Sequence, residues 1–399
     1  MSSAEVNTLP DGWEEKKLGE VLDNILTGTT PSKKAPKYYE NPTVNWFSPS
    51  DFGVVKVLQD AKNKVSQLAI DERKAKLYEK DSLLLVAIGA TVGKVGIIRK
   101  KVSSNQQITA LKFMPHLNVD FAYYYFIYIK PIVVKTASAA TMPIINQKTI
   151  KSLKISFPPL EEQKRIVTKI DDLFAKIDKA ISLTEESLVQ AKNLFTSSLS
   201  KIFNDLKQSH KSYPLMEYVD FVGGSQPPKS TFSYEMKEGF VRLIQIRDYK
   251  TDNHIVYIDK NSTKKFCESD DIMIGRYGPP VFQILKGIKG AYNVALMKAI
   301  PNESMVNREF LYYFLQSSSI QRYIISISQR SAGQSGVNKK ALDAYNITLP
   351  PLEVQHKLID DFNQLQNDTA LTQSKLEQQL AYLKQLKSSI LSKAFKGEL

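Results

Sequence analysis

With 399 residues, 42% of them apolar, the chain has room for two or three domains, each with its own core. Lysine and arginine exceed aspartate and glutamate by 13, which favours a polyanionic partner, nucleic acid or an anionic membrane surface. The single cysteine, Cys267, excludes an internal disulfide and a multi-thiolate zinc site and reads as a small, partly buried thiol.

The opening "MSSAEVNTLPDGW" shows neither a basic n-region nor an apolar h-region, so no signal peptide is visible and a cytoplasmic location fits. Short alternating runs such as "VNWFS" (44–48) and "LLLVAIG" (83–89), punctuated by Gly, Pro and Asn, predict strands. Asp120 is a suitable N-cap for a helix over "FAYYYFIYI" (121–129). The apolar stretch 121–134 is broken by Lys130 and Pro131, short of the roughly 18 residues a membrane span needs. From Pro159 to about Leu206 the pattern changes to a heptad-like seam of Ile166, Ile170, Leu173, Ile177, Ala180, Thr184, Leu188, Ala191, Phe195, Ser198 and Ile202. Pro158 and Pro159 punctuate its start.

The chain then repeats itself. "FPPLEEQKRIVTKIDDLF" (157–174) returns as "LPPLEVQHKLIDDFNQLQ" (349–366), an offset of 192. "GTTPSK" (28–33) lies over "GSQPPK" (224–229), "VNWFSPSDF" (44–52) over "VRLIQIRDY" (241–249) and "DSLLLVAIG" (81–89) over "DDIMIGRYG" (270–278). "YYF" at 124–126 meets "YYF" at 312–314, placing Asn307 before a second aromatic helix, "REFLYYFL". The order is kept while the offset drifts only between 188 and 197, as expected of a duplicated domain with loop insertions and deletions. The second half closes on another long helix, Leu352 to Phe395, stopping at Gly397, with a seam of Leu376, Leu380, Leu383, Ile390 and Ala394. Its seam is poor through 363–373, where a kink or loosening is expected.

The predicted fold class is α+β: two duplicated mixed α/β domains, 1–157 and 211–349, each followed by a long helix, 158–210 and 350–399. Some 45 residues at ~1.5 Å each make a rod of about 65–70 Å. Two amphipathic rods most simply pair as an antiparallel coiled coil, with the domains related by a pseudo-twofold axis.

Residues 82–157 hold ten Lys/Arg against one acid, Asp120, and residues 272–340 hold nine against Glu303 and Glu309. Equivalent basic fields in both domains predict phosphate contacts. Groups able to reach base edges cluster in loops. The candidate DNA contacts are Lys33, Lys34, Ser50, Thr91, Lys94, Asn105, Gln106, Gln107, Thr141 and Lys148 in the first domain. In the second they are Lys229, Gln245, Arg247, Arg276, Tyr277, Arg330, Gln334, Lys339 and Lys340. The domain ends match closely while these loops diverge, so two different short sequences are expected to be read.

No catalytic, cofactor or metal site is legible. "GATVGKVGI" (89–97) is one residue short of a P-loop and has Val95 where Ser or Thr should bind magnesium, so a strand-turn-strand is expected. "FPPL" (157–160) lacks the amide or acid and the aromatic of an amino-methyltransferase loop. The four histidines, His116, His210, His254 and His356, lack ligand spacing. Asp51 of "PSDFGVVK" (49–56) has a counterpart in Asp248, which suggests a structural or recognition role at a repeated turn.

"LPDGWEEKKLGEVLDNILTGTTPSK" (9–33), "GATVGKVGI", "INQKTIKSLKISFPPLEEQKRIVTKIDDLFAKID" (145–178), "LPPLEVQHKLIDDF" (349–362) and "LKQLKSSILSKAFKGEL" (383–399) resemble, in order, segments of the specificity subunits of type I restriction-modification systems. The likeness covers nearly the whole chain. It implies two target recognition domains, each reading half of a bipartite, asymmetric site in double-stranded DNA, and a coiled-coil spacer setting the gap. It also implies two methyltransferase subunits and two restriction (motor-nuclease) subunits as partners. S-adenosylmethionine, ATP and magnesium would belong to those partners; this chain would be non-catalytic, hold no cofactor and bind no membrane. The competing readings are a self-contained restriction-methylation enzyme and a coiled-coil scaffold that binds DNA without sequence preference.

Overall fold

The computed structural model describes residues 9–53, 55–137, 142–278, 280–328 and 336–399, and two long helices run through it, a central one over Leu160–Ser209 and a C-terminal one over Leu352–Phe395. Each begins after a Pro-Pro pair, which cannot continue a strand ladder but suits a first helical turn. The repeated glutamine one turn further on explains why the words around it recur. Gln163 is fully buried; its Oε1 accepts from Asn118 N (2.8 Å) and its Nε2 donates to His116 O (3.0 Å) and Pro158 O (2.8 Å). Gln355 is equally buried and does the same with Asn307 N (2.8 Å), Met305 O (2.9 Å) and Pro350 O (2.9 Å). One side chain thus pins the start of each long helix to the loop that caps an aromatic helix.

Those aromatic helices are Val119–Tyr128 and Arg308–Gln316. The second is capped by Asn307, as expected, but the first is capped by Asn118 rather than Asp120. Asn118 Oδ1 accepts from Asp120 N (2.8 Å) and Phe121 N (3.1 Å), the reach an N-cap side chain has. Asp120 sits inside the first turn and meets Lys56 (3.0 Å) and Arg99 (2.7 Å). Burial alone would raise its carboxyl, but the hydrogen bonds from Arg99 and Lys56 hold it below the usual range.

The chain divides into two compact units, Met1–Leu183 with Gln379–Leu399, and Thr184–Gln378. The first unit carries β1 (Glu14–Lys17), β2 (Leu22–Thr27), β3 (Val44–Phe47), β4 (Val57–Leu58), β5 (Lys64–Val65), β6 (Ser82–Val86), β7 (Val95–Ile98), β8 (Ser103–Ser104), β9 (Ile108–Phe113) and β10 (Lys154–Phe157). The second carries β11 (Ser212–Pro214), β12 (Val219–Gly223), β13 (Phe240–Ile244), β14 (Tyr257–Asp259), β15 (Phe266–Cys267), β16 (Ile272–Gly275), β17 (Gln283–Lys286), β18 (Gly290–Tyr292), β19 (Leu296–Pro301) and β20 (Asn346–Thr348).

The sheets repeat one plan. The order β2-β9-β6-β7 reappears as β12-β19-β16-β17, β5-β3-β8 as β14-β13-β18 and β1-β10 as β11-β20. In both, the middle strand of the small sheet pairs antiparallel on one side and parallel on the other. The units differ at the edges: β4 joins β7 in the first and β15 joins β18 in the second. "GATVGKVGI" is the turn between antiparallel β6 and β7, running into β7, the strand-turn-strand expected of it.

The predicted seam is buried at Ile166, Ile170, Ile177, Thr184 and Ala191 and at Ile390 and Ala394, and only partly buried at its other positions. In the first unit Ile166, Ile170 and Ile177 of the central helix share a core with Ile390, Leu391, Ala394 and Phe395 of the C-terminal helix. Phe395 packs edge-on against Phe121 (5.3 Å) and Tyr125 (5.2 Å). Lys387 pairs with Asp178 while Arg165 donates to Leu399 O (3.0 Å), so the two helices run antiparallel here. In the second unit Leu199, Phe203 and Leu206 meet Ile359 and Phe362, with the Phe203 and Phe362 rings 5.6 Å apart. The C-terminal helix is continuous through 363–373. Polar groups of this stretch find partners: Asn363 Oδ1 accepts from the Tyr313 hydroxyl (2.5 Å), and buried Thr369 donates to Leu365 O (2.7 Å).

Candidate nucleic-acid interface

At one end of the sheets of each unit the connecting loops are tied together by main-chain hydrogen bonds. In the first unit Gly28 N donates to Ile108 O (3.0 Å), Thr29 N to Ser104 O (3.1 Å), Asn105 N to Phe47 O (2.9 Å), Ala87 N to Gln107 O (2.7 Å) and Ile145 N to Ala87 O (2.9 Å). In the second the same pattern runs Gly224 N to Leu296 O (3.0 Å), Ser225 N to Tyr292 O (3.2 Å), Asn293 N to Ile244 O (3.0 Å), Arg276 N to Ala295 O (2.9 Å) and Val337 N to Arg276 O (3.0 Å). Each unit therefore presents a rim built from four or five loops that are far apart in sequence.

Side chains hold the rim as well. Asn105 Oδ1 accepts from Gln107 N (3.0 Å) and Asn293 Oδ1 from Ala295 N (3.1 Å), the same Asx turn in both units. Asp51 Oδ2 accepts from Ser48 N (2.7 Å) and Asp248 Oδ2 from Gln245 N (3.1 Å), so the repeated aspartate closes a single helical turn. Desolvation raises the Asp248 carboxyl, against the pull of the Gln245 amide, Arg242 and Arg247.

The glycines of "GTTPSK" and "GSQPPK" are required by close approach. A Cβ on Gly28 would lie 2.2 Å from Asn105 O, and one on Gly224 would lie 2.1 Å from Asn293 O. Backbone cannot give way as a flexible side chain can. Gly224→Ala is therefore expected to destabilise the second unit by about 1–3 kcal/mol, the usual cost of overpacking. Denaturant unfolding of the variant would measure it, and a midpoint equal to that of the parent would show that the rim yields freely.

The rim collects most of the predicted contact residues. Ser50, Thr91, Lys94, Asn105, Gln106 and Gln107 lie on or beside the loops just described, and Lys148 follows the 143–147 segment in the helix Gln147–Ser152. Thr30 hydrogen-bonds Gln106, bringing the Lys33–Lys34 loop to the same edge. Asn105 is held within the turn, its Nδ2 also donating to Gln107 Oε1 (3.0 Å), while Lys94 Nζ donates to Phe52 O (3.3 Å). In the second unit Gln245, Arg247, Arg276 and Tyr277 lie on the rim, with the Arg276 guanidinium 5.2 Å from the Tyr277 ring centroid. Lys339 and Lys340 begin the short helix that follows Val337, and Lys229 opens a turn after the Gly224 crossing. Thr141, Arg330 and Gln334 lie outside the described residues.

Pairing thins the basic fields. Arg99, Lys100, Lys101 and Lys154 are neutralised by Asp81, Asp60, Glu79 and Glu15, acids that stand outside the acid-poor stretch and reach it through the fold. Lys289, Lys298 and Lys339 are paired likewise with Glu268, Asp271 and Asp343. Among the described residues, Lys33, Lys34, Lys148, Lys229, Arg247, Arg276 and Lys340 form no ion pair, and these sit on or near the rims. Asn293 and the cap Asn118 are the functional-looking residues that sequence reasoning missed; the 188 offset that aligns the YYF motifs also aligns Asn105 with Asn293.

Among the described residues no group of His, Cys, Asp and Glu is placed to hold a metal ion, and no helix is long and apolar enough to cross a membrane. Cys267 is buried, its Sγ donating to Ile288 O (3.1 Å), and burial pushes its thiol up to about 11, where it is a poor nucleophile.

Comparison with known proteins agrees with this architecture. The chain is 26% identical to the putative type I restriction enzyme MjaX specificity subunit of Methanocaldococcus jannaschii, over 90% of this chain and 89% of that protein. Its fold is similar to a chain solved in a study of complex assembly and conformational transition of the type I R-M system, with a TM-score of 0.80, 21% identity and coverage of 98% of this chain and 100% of that one. It is also similar to the HsdS subunit from Thermoanaerobacter tengcongensis, with a TM-score of 0.65, 21% identity and 98% of each chain covered. Residues 10–186 and 211–382 each match the type I restriction modification DNA specificity domain, so the chain belongs to that family and carries its domain twice.

Proposed function

We propose that the chain is the DNA-specificity subunit of a type I restriction-modification complex. Its recognition domains are 1–157 and 211–349, and its spacer helices are 158–210 and 350–399. Each domain reads one half of a bipartite, asymmetric target in duplex DNA from its loop rim. The observation that carries this reading is the pair of rims tied by matching main-chain bonds but furnished with different side chains. A common frame suits one docking geometry, and divergent side chains suit two half-sites. The unpaired rim cations supply phosphate contacts, and the amide, hydroxyl and guanidinium groups supply base contacts.

The paired helices set the gap between half-sites and dock two methyltransferase and two restriction subunits. Those partners carry S-adenosylmethionine, ATP and magnesium and perform the chemistry; this chain, in the cytoplasm, supplies address and scaffold. Long-read sequencing of modified adenines in a host carrying only this chain and its methyltransferase tests the reading. One asymmetric bipartite motif with a fixed gap is expected. Modification without sequence preference would favour a sequence-blind scaffold instead, and an uninterrupted motif would rule out two separate readers.

A further inference from the structure

The matching main-chain bonds align the two rims residue by residue. Ser48 and Gln245 occupy one place, each giving its amide N–H to the aspartate three residues on. Ala87 and Arg276 occupy another, each donating to the Asx-turn loop and accepting from the segment before the last short helix. Gln106 and Val294 occupy a third, inside that Asx turn.

At each place one unit carries a long polar side chain and the other a short or apolar one. The long ones are not fully paired within the fold. Gln245 Nε2 and Arg276 Nε are buried without a hydrogen-bond partner among the described residues, and Arg276 Nη1 makes only a 3.3 Å contact to Val294 O. A donor left unpaired in that condition is disfavoured, which favours a side chain that turns outward to an acceptor able to pair it. Gln106 is exposed, and among the described residues its one side-chain hydrogen bond is from the Thr30 hydroxyl to Oε1, which leaves its NH2 and a second carbonyl lone pair open there. By contrast Ser48 Oγ is engaged by Ser50 and Asp51 (both 2.8 Å), and Ala87 and Val294 have no polar side-chain atom.

We propose that the two units read bases from different loops of one shared frame: the first with Gln106 of its Asx turn, the second with Gln245 and Arg276. The planar amide of glutamine matches adenine N6 and N7 in the major groove, and the guanidinium fork matches guanine O6 and N7. The first half-site therefore contains an A·T pair specified by Gln106. The second contains an A·T pair specified by Gln245 and a G·C pair specified by Arg276. This rests on the specificity-subunit reading above and adds the residues and the bases.

The test uses Gln106→Val, Gln245→Ser and Arg276→Ala, each installing the residue the twin unit already folds with at that place. Each full-length variant is expressed with its methyltransferase, and modified adenines are mapped by long-read sequencing beside the parent. Each variant is expected to relax one position of one half-site by about tenfold to a hundredfold, leaving the other half and the gap unchanged. Arg276→Ala should relax a G·C position, and the two glutamine variants an A·T position each. An unchanged motif, a change in the other half-site, or loss of all modification overturns the proposal, the last because it would make these side chains part of the frame. If the parent chain itself yields no bipartite motif, it is the specificity-subunit reading that fails.

Discussion

Replacing Gln163 with leucine is expected to lower the melting transition of the first unit by on the order of 10 °C. The substitution keeps the volume and the helix propensity but removes every polar partner of three main-chain groups, Asn118 N, His116 O and Pro158 O. All three meet a side chain with no solvent exposure, so water does not substitute easily. An unsatisfied buried amide or carbonyl costs roughly 1–3 kcal/mol, and three of them roughly 3–5 kcal/mol once some relaxation is allowed. Gln163→Glu separates the groups: one carboxylate oxygen can still accept from Asn118 N, while the two carbonyls lose their donor. With a buried carboxylate facing the His116 and Pro158 carbonyl oxygens it should fall below the leucine variant at neutral pH, and recover as acid protonates the carboxyl into a donor. Gln355→Leu is expected to do the same to the second unit, through Asn307, Met305 and Pro350. Calorimetry on the purified chain would decide it; a shift of under about 2 °C for Gln163→Leu would mean that the glutamine is not the pin described.

The second large effect concerns modularity. Exchanging residues 11–157 for the corresponding domain of another specificity subunit is expected to replace one half of the modified motif completely and leave the other half untouched. The second unit closes on itself: β11 pairs with β20, Gln355 pins its own capping loop, and Phe203, Phe310, Phe314 and Phe362 form one aromatic core. None of those contacts involves residues 11–157. The incoming domain must still satisfy the central helix, where Asp171 bonds Lys56 Nζ (2.9 Å) and Tyr124 and where Phe174 packs on Tyr124 (5.6 Å). A donor domain lacking the equivalent lysine and tyrosine should therefore need the helix residues 158–183 to travel with it. Motifs mapped before and after would settle the matter, and a change in both halves would end the modular account.

Much of this was legible because the duplication is. The repeated Pro-Pro entrances, the helical seam, the alternating run of β3 and the unbroken apolar run of β6 all rest on local spacing, and local spacing survives in one dimension. What was hidden depended on pairing at long range. Gln163 looks like one more polar residue at the start of a charged helix; only the fold brings the Asn118 loop onto it. Asp120 is a plausible cap by type, yet Asn118 has the reach, and Asp120 is drawn to Lys56 and Arg99 from other strands. Phe203 escapes a heptad count that runs through Ser198 and Ile202, because the buried ridge steps through Leu199, Phe203 and Leu206 instead. The basic stretches overstate the field, since Asp60, Glu79 and Glu15 come in from outside them. The candidate contacts span residues 33 to 148 in the first half, and they form one rim only because the order β2-β9-β6-β7 sets beside one another loops that the chain visits far apart.

The last residues of the chain belong to its first unit: Ile390, Ala394 and Phe395 complete a core begun by Leu18 and Val21. During synthesis, then, the part made first is finished last. At roughly 5–20 residues per second the nascent N-terminal half waits tens of seconds on the ribosome, with Phe121 and Tyr125 uncovered, until the terminal helix emerges. The second unit, whose residues form one unbroken segment, can close while its elder twin is still open.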